Sequence, residues 1–588
     1  MNKNKFLIGM FALATLAFNA CSKDDIPDEN NGGGNTEVIE GVDTYAKFSF
    51  KLGKGGSLTR ATGDKYEGTT EEKNIKNVRA YVFKESGDYE DKTEAAAIES
   101  HDVIHTAVLK LTSGRKKVYV VANMEDSWIG PTTTAAQFEA MILQLCTNAG
   151  RIAHNKGLPE AQKRPAVARV GSFENLYGQD NAGEKGFLMA SVLASTEFTL
   201  NPGISEAACS KDSYASPDDM AANNHLEIAI SRATSKLQAT YQDDDALTLK
   251  EKDGNKEIGK LLTPTFTVRN LPIQSYMFLH NQNNGFLTPF YSNTNTSSTF
   301  VDFEKYYDEV NTPDLALSAS TTGDQIKSIY LPENSNQTPV RGNTSYVLVK
   351  GTFAPVADVM INQVTVGGDA PNYTITEKKD ATNYSTGETA VPAFFTVPEW
   401  DNQIYTGTSN VEEENWGAYG LEMIRLTYLN KVGKQRWLKA KDAETAVQES
   451  LEAPKIYYIA TFSGSDGIYS VVKIYKFTEN KEGGSVGVYE STEESMIRIL
   501  RYDSGVCYYR VNIEDNMDEK TEANNLFYSV MRNRFYNVNV SKITSIGYPS
   551  DEDVTVDPSD PINQKTYMQA HITVSEWTKV EQDTELGM

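Results

Sequence analysis

The residues of this chain that could do chemistry are six dispersed histidines, short Ser/Gly and Asp clusters, two adjacent tyrosines, four cysteines, and one arginine behind a glycine-rich run. His101 and His105 stand four apart, with His154, His225, His280 and His571 far away. A zinc peptidase needs two imidazoles on one helical face with a glutamate between them, and no HExxH glutamate accompanies His101 and His105. Ser463-Gly464-Ser465-Asp466-Gly467 lacks the first glycine of a nucleophile elbow and predicts a turn. Asp243-Asp244-Asp245 and Asp253-Gly254 miss the spacing of a calcium loop and predict a solvated acidic turn. Tyr508 and Tyr509 could stack on sugars, but a β-sandwich needs such rings for its own core. No catalytic, cofactor-binding or metal-binding set emerges, and no enzyme activity is expected.

What remains is chemistry done to the chain. Gly53, Lys54, Gly55, Gly56 and Ser57 resist regular structure and keep the backbone accessible, so a trypsin-like protease would find the Arg60-Ala61 bond easily. Ahead of that loop runs a half-buried strand: Ala46, Phe48, Phe50 and Leu52 fall on one face, Tyr45, Lys47, Ser49 and Lys51 on the other. The last strand-like stretch, Thr566 to Trp577, repeats the arrangement, with Met568, Ala570, Ile572 and Val574 alternating against Tyr567, Gln569, His571 and Thr573. If cutting after Arg60 removed the first strand, the terminal strand of a second molecule could fill the groove. Head-to-tail donation does not close on itself, so the product would be an open fibre. The strand's ladder bonds roughly offset its ordering entropy, so the pockets decide affinity, and Ile572 and Val574 are the side chains expected to fill them.

The elements around these residues follow from composition. At 588 residues two or three domains are expected. With 31 Tyr, 23 Phe, 20 Pro and 41 Gly, and many short alternating runs, the chain reads as all-β sandwiches with one or a few short helices. A net charge of -24 repels phosphate backbones and argues against a nucleic-acid partner. Cys21, Cys146, Cys209 and Cys507 form no CxxC pair or metal-ligand spacing. Lys3 and Lys5, the apolar run Phe6 to Phe18, and Ala20 before Cys21 read as an export signal too short to span a bilayer. They resemble a bacterial lipoprotein signal, in which the Cys21 thiol is lipidated. Ser22-Lys23-Asp24-Asp25 is similar to the acidic tag of Bacteroidetes surface lipoproteins.

In chain order, the expected units are a signal peptide (1–20), a propeptide with a polar tether and the removable strand (21–60), an N-terminal sandwich (61–272), a C-terminal sandwich (273–549), and a connector with the terminal strand (550–588). Thr134 to Asn148 predicts an amphipathic helix with Cys146 near its buried stripe. Leu226, Ile228 and Ile230 alternate, then Arg232 and Lys236 interrupt as basic side chains expected to snorkel over the sandwich edge. Tyr536, Val538 and Val540 share a face of a late strand. The acidic connector, stiffened by Pro558 and Pro561, is expected to leave the terminal strand free to quit its own domain.

Taken together, the lipoprotein signal at Cys21, Arg60-Ala61, VYVVAN before a helix, SRATSK, LPEN…RGNTSYVLVK, RNRFYNVNV and TYMQAHITVSEW resemble the fimbrillins of the Bacteroidales, the subunits of type V pili, and within them the minor (short) fimbrium type. The resemblance spans the chain. It implies two transthyretin-like β-sandwich domains in tandem, export as an outer-membrane lipoprotein, cleavage by an arginine-specific protease at Arg60-Ala61, and loss of the strand with Ala46, Phe48, Phe50 and Leu52. It also implies polymerisation through Met568 to Val574 into a surface fimbria that works with anchor and tip subunits, binds host or bacterial receptors and supports biofilm. The connector before the last strand is shorter and less proline-rich than the family pattern, which bears on its reach. Two other roles stay open at this point: a surface lipoprotein that binds glycans or proteins, and an anchor or tip subunit of the same pilus.

Overall fold

The structure is a computed structural model that describes most residues within 38–52, 72–93, 104–123, 133–144, 187–291, 307–319, 327–406, 457–515, 527–551 and 568–576, with Met423, Ile424, Thr427, Ser559 and Ile562. Alternating β-branched and aromatic runs, punctuated by Gly, Asn and Pro, favour strands. Among the described residues regular structure is accordingly almost all β. No helix there is long and apolar enough to cross a membrane.

The first sheet is built from β1 (Asp43–Leu52), β2 (Val78–Lys84), β3 (Tyr89–Lys92), β4 (Ile104–His105), β5 (Leu109–Thr112), β6 (Gly114–Ala122), β8 (Met189–Ser191), β9 (Thr196–Leu200) and β10 (His225–Arg232); β7 (Ile142–Gln144) lies outside it. The order is β3-β2-β6-β8-β10-β1-β4, with β5 beside β1 and β9 beside β6. One face of the sheet is apolar and buried: Phe48, Phe50, Val82, Val120, Ile228 and Ile230 share a single buried cluster. Its opposite face is buried as well, since Tyr81, Phe83 and Tyr119 pack on Phe138, and Phe138 on Phe278. Burial on both faces explains why Ala80–Phe83 of β2 and Val118–Ala122 of β6 read as continuous apolar runs.

Two further sheets share a second core. In one, β11 (Ser235–Tyr241) pairs in parallel with Arg534–Ile543, which carries the terminal strand Met568–Glu576 on its other edge. In the other, β12 (Thr248–Lys250), β13 (Glu257–Arg269), Tyr346–Pro355 and Val506–Asn512 lie in that order. Leu237, Tyr536, Val538 and Val540 from the first meet Val268, Val347, Val349 and Tyr509 from the second in one cluster. An eight-stranded sheet drawn from strands between Met360 and Tyr502 sits in sequence between Tyr346–Pro355 and Val506–Asn512.

Several expectations need correction. The change of sheet falls between Arg232 and Ser235, not at Pro272, because Lys236 to Tyr241 take Phe535 to Val540 as partners. Thr234 makes the crossing: its hydroxyl donates to the Leu331 carbonyl at 2.8 Å, and its own carbonyl accepts from Asn533 N–H at 2.8 Å. Arg232 and Lys236 do not snorkel. Both are buried around Glu72: Lys236 Nζ lies 2.6 Å from Glu72 Oε1, Tyr330 donates to the same oxygen at 2.7 Å, and Arg232 Nε donates to the Glu72 carbonyl at 3.0 Å. A buried cation is tolerated only with such partners. The helix over Thr134 to Asn148 is confined to Ala135–Glu139, α1. Thr134 Oγ1 accepts from Gln137 N–H and Gln137 Oε1 accepts from Thr134 N–H, a reciprocal cap. The apolar residues that follow become β7 instead, paired with Gln274–Tyr276, because a sheet partner outbids a short helix that is marginal alone. Cys146 lies outside the described residues.

Candidate functional site

The first strand earns its place through alternation. Thr44, Ala46, Phe48 and Phe50 are buried, while Tyr45 and Lys47 on the other face are half-buried. β1 has neighbours on both edges. On one it runs parallel to β10, with Phe48 opposite Leu226, Phe50 opposite Ile228 and Leu52 opposite Ile230. On the other it runs antiparallel to β5 over Asp43 to Ala46 and to β4 at Ser49 and Phe50. Taking it out would leave a slot open along both walls and an apolar floor.

The start of the strand is held by a buried polar clamp. Asn224, at φ 53, adopts the left-handed backbone that asparagine tolerates and so turns its side chain back over β1. Its Nδ2 donates to Thr44 Oγ1 (3.0 Å), the Tyr45 carbonyl (3.1 Å) and the Asn201 carbonyl (3.0 Å). Thr44 Oγ1 accepts from Ile204 N–H (3.2 Å) and donates to the Asn201 carbonyl (2.7 Å). The backbone joins in, with Tyr45 N–H on the Ile204 carbonyl and Lys47 N–H on the Asn224 carbonyl. Before the strand, Gly114 at φ +110 leaves room for the Glu40 carboxylate, with which a Cβ there would collide, and Ser113 Oγ donates to the Ile39 carbonyl at 2.6 Å. Farther along, Ser49 Oγ meets His225 Nε2, whose Nδ1 meets Tyr214. Beside them, burial pushes the Cys209 thiol up, so it is a protonated core group. Cys507, also a free thiol, is pushed up to about 12 by burial.

Among the described residues the terminal strand sits at an edge, with Arg534–Ile543 as its sheet neighbour. Ile572 stands opposite Val538, His571 opposite Asn539 and Val574 opposite Tyr536, with a bulge between Val540 and Lys542. Met568 is buried, whereas Ala570 and Ile572 are only half-buried against the core. The strand expected to be able to quit its own domain is docked here on its own chain, along one edge among the described residues. Cys21, Arg60 and Ala61 lie outside the described residues.

The other candidates dissolve into packing. Tyr509 is fully buried, and Tyr508 packs against Tyr346, Leu348 and Tyr548 rather than offering a sugar platform. Asp243 caps a short helix by accepting from Ala246 N–H. Ser463 and Ser465 lie in Tyr457–Ser465, paired antiparallel with Ile468–Glu479. Among the described residues no cluster of His, Cys, Asp and Glu could hold a metal. Thr44, Asn224 and Glu72 were missed. The Asn223-Asn224 pair just ahead of β10 is the signal that could have found the clamp. Two basic residues interrupting an apolar run could have announced a buried acid.

Comparison with known proteins gives two profile matches. The family profile described as "Major fimbrial subunit protein (FimA)" matches residues 46–232, the span from β1 to β10. The profile "Major fimbrial subunit protein type IV, Fimbrillin, C-terminal" matches residues 501–583, which include the terminal strand. No curated protein matches the chain. Among solved structures, a fimbrilin (fimA) from Porphyromonas gingivalis W83 is similar at 12% identity and TM-score 0.38, over 91% of this chain and 99% of its own. The tip fimbrial protein Mfa3 of Porphyromonas gingivalis, with C-terminal truncation, is similar at 10% identity and TM-score 0.30, over 91% and 100%. Likenesses this slight carry no residue-level argument.

Proposed function

We propose that this chain, which fimbrial-subunit profiles match over residues 46–232 and 501–583, is a structural fimbrial subunit rather than an enzyme, and that it forms the shaft of a cell-surface fimbria by strand exchange. In this reading the precursor is a lipoprotein anchored through Cys21 in the outer membrane. An arginine-specific protease cuts between Arg60 and Ala61, β1 leaves with the propeptide, and Met568 to Val574 of a second copy enters the slot. The shaft then meets anchor and tip subunits, and its adhesion to host or bacterial surfaces supports biofilm.

The observation that carries this is β1 itself: Ala46, Phe48 and Phe50 fully buried between two walls, in a strand whose only covalent link to the rest of the described fold runs through the segment containing Arg60. A terminal strand of the same alternation on a one-sided edge supports a shaft role, since a tip has no further subunit to donate to. The test is Arg60→Ala. The variant is expected to stay a lipidated monomer on the cell, while surface material of the parent begins at Ala61. Normal fibres from Arg60→Ala would remove the gating step.

A further inference from the structure

The following rests on the strand-exchange reading and deepens it to the register of exchange. The Thr44-Tyr45 dipeptide of β1 recurs in sequence as Thr566-Tyr567, just ahead of the terminal strand, and the residues that follow agree in type at every position. Thr44-Tyr45-Ala46-Lys47-Phe48-Ser49-Phe50-Lys51-Leu52 stands against Thr566-Tyr567-Met568-Gln569-Ala570-His571-Ile572-Thr573-Val574. Thr44 is no neutral position: it is 1% exposed, and its hydroxyl serves Asn224, Ile204 and Asn201 together.

We propose that Thr566 of one subunit takes the place of Thr44 in the Asn224 clamp of the next, and that this clamp sets the register of the fibre. Met568, Ala570, Ile572 and Val574 then occupy the positions of Ala46, Phe48, Phe50 and Leu52. A slip of one residue would turn every apolar side chain to the wrong face. A slip of two that seats Met568 at Thr44 keeps the faces and even aligns Ala570 with Ala46. It strips the Ile204 N–H, the Asn224 amide and the Asn201 carbonyl of their buried hydroxyl partner, and places Glu576 at the position of Leu52. In the clamped register the bulk moves one place along the face, from Phe48 to Met568. Methionine is unbranched with three rotatable bonds, so it can lean into the space left at Ala570.

The register has a readable mark. Ser49 stands opposite Glu227, which is exposed, so the incoming His571 should stand there too. Full chains with Glu227→Cys are mixed, after cleavage at Arg60, with chains carrying Gln569→Cys, His571→Cys or Thr573→Cys. Parallel partners lie within disulfide reach, and mild oxidation should cross-link His571→Cys about tenfold more than either neighbour. Preference for Thr573→Cys or Gln569→Cys, or fibres that cross-link at none of the three, overturns the register and leaves exchange standing. Cleaved chains that stay monomeric overturn exchange itself. As a second measure, Thr566→Val should slow assembly about tenfold, with Thr566→Ser restoring it; equal rates for parent and Thr566→Val would remove the clamp.

Discussion

Phe48→Ala asks how firmly β1 is held. The side chain is 0% exposed and shares its cluster with Val82, Val120 and Ile228. Truncating a buried phenylalanine costs about 3–5 kcal/mol, through lost transfer energy and the cavity left behind. At about 1.4 kcal/mol per tenfold, opening of β1 should rise roughly a hundredfold to a few thousandfold, provided the strand opens by itself and not with the whole sheet. Hydrogen exchange followed by mass spectrometry reads this directly on the uncut protein, with peptides covering Lys47 to Leu52 compared against Val118 to Ala122 and Val347 to Val349. The expected pattern is strong acceleration in the first and little change in the other two. Unchanged exchange in β1 would show that Phe48 does not hold the strand. Equal acceleration everywhere would show that β1 opens only by global unfolding, and the removable-plug argument would fall. The same variant should also assemble slowly with Arg60 uncut.

A disulfide between Asn539→Cys and His571→Cys, which face each other in the home sheet, should hold the terminal strand at home: the cleaved, oxidised protein stays monomeric and reduction releases assembly. Fibres from the oxidised form, seen by electron microscopy, would show that this strand is not the donor. Glu72→Ala leaves Lys236 buried without its anion and should cost about 3–5 kcal/mol in urea denaturation; Lys236→Met in the same chain should restore most of it, and a loss near zero would deny the pair its structural weight. For Glu90, burial pushes the carboxyl up, but bonds from Lys116 and Thr112 outweigh it and hold it below its ordinary 4.5. Its stabilisation is therefore present above that value and lost as pH falls through the lower folded-state value. Glu90→Gln should flatten the acid side of the stability profile, and parallel profiles for the two proteins would refute the assignment.

The local pattern was legible wherever one face decides. Period-2 alternation placed Ala46, Phe48 and Phe50 inside, and did the same for Tyr536, Val538 and Val540. It failed where the deciding partner is distant in sequence. Arg232 and Lys236 read as edge cations because Glu72 lies some 160 residues away. The sheet change at Thr234 was hidden because β10 and β11 follow each other with only Ala233 and Thr234 between them and no Gly or Pro to mark a break, so only the partner Arg534–Ile543 separates them. Met141 to Leu145 carry helical spacing and strand-forming side chains alike, so the ladder with Gln274–Tyr276 chose. The clamp was invisible because Thr44 and Asn224 are ordinary polar residues until folding buries both.

The home position of the terminal strand gives the proposed exchange a direction. At home Met568–Glu576 has a sheet neighbour on one edge, and Ala570 and Ile572 remain half in water. The slot of β1 has neighbours on both edges, and the positions of Ala46, Phe48 and Phe50 are fully buried. Moving from one site to the other adds ladder bonds worth about 0.5–1.5 kcal/mol each and completes the burial of a side chain worth about 1.5–3 kcal/mol when fully covered. Against this stands the bared edge of Arg534–Ile543 in the donor, a row of unpaired backbone groups. In the proposed exchange the move has no destination while β1 fills the slot, so the uncut chain should not join its neighbours. On this proposal, once β1 has left, the two-walled site should outcompete the one-walled one, and exchange should run downhill from there.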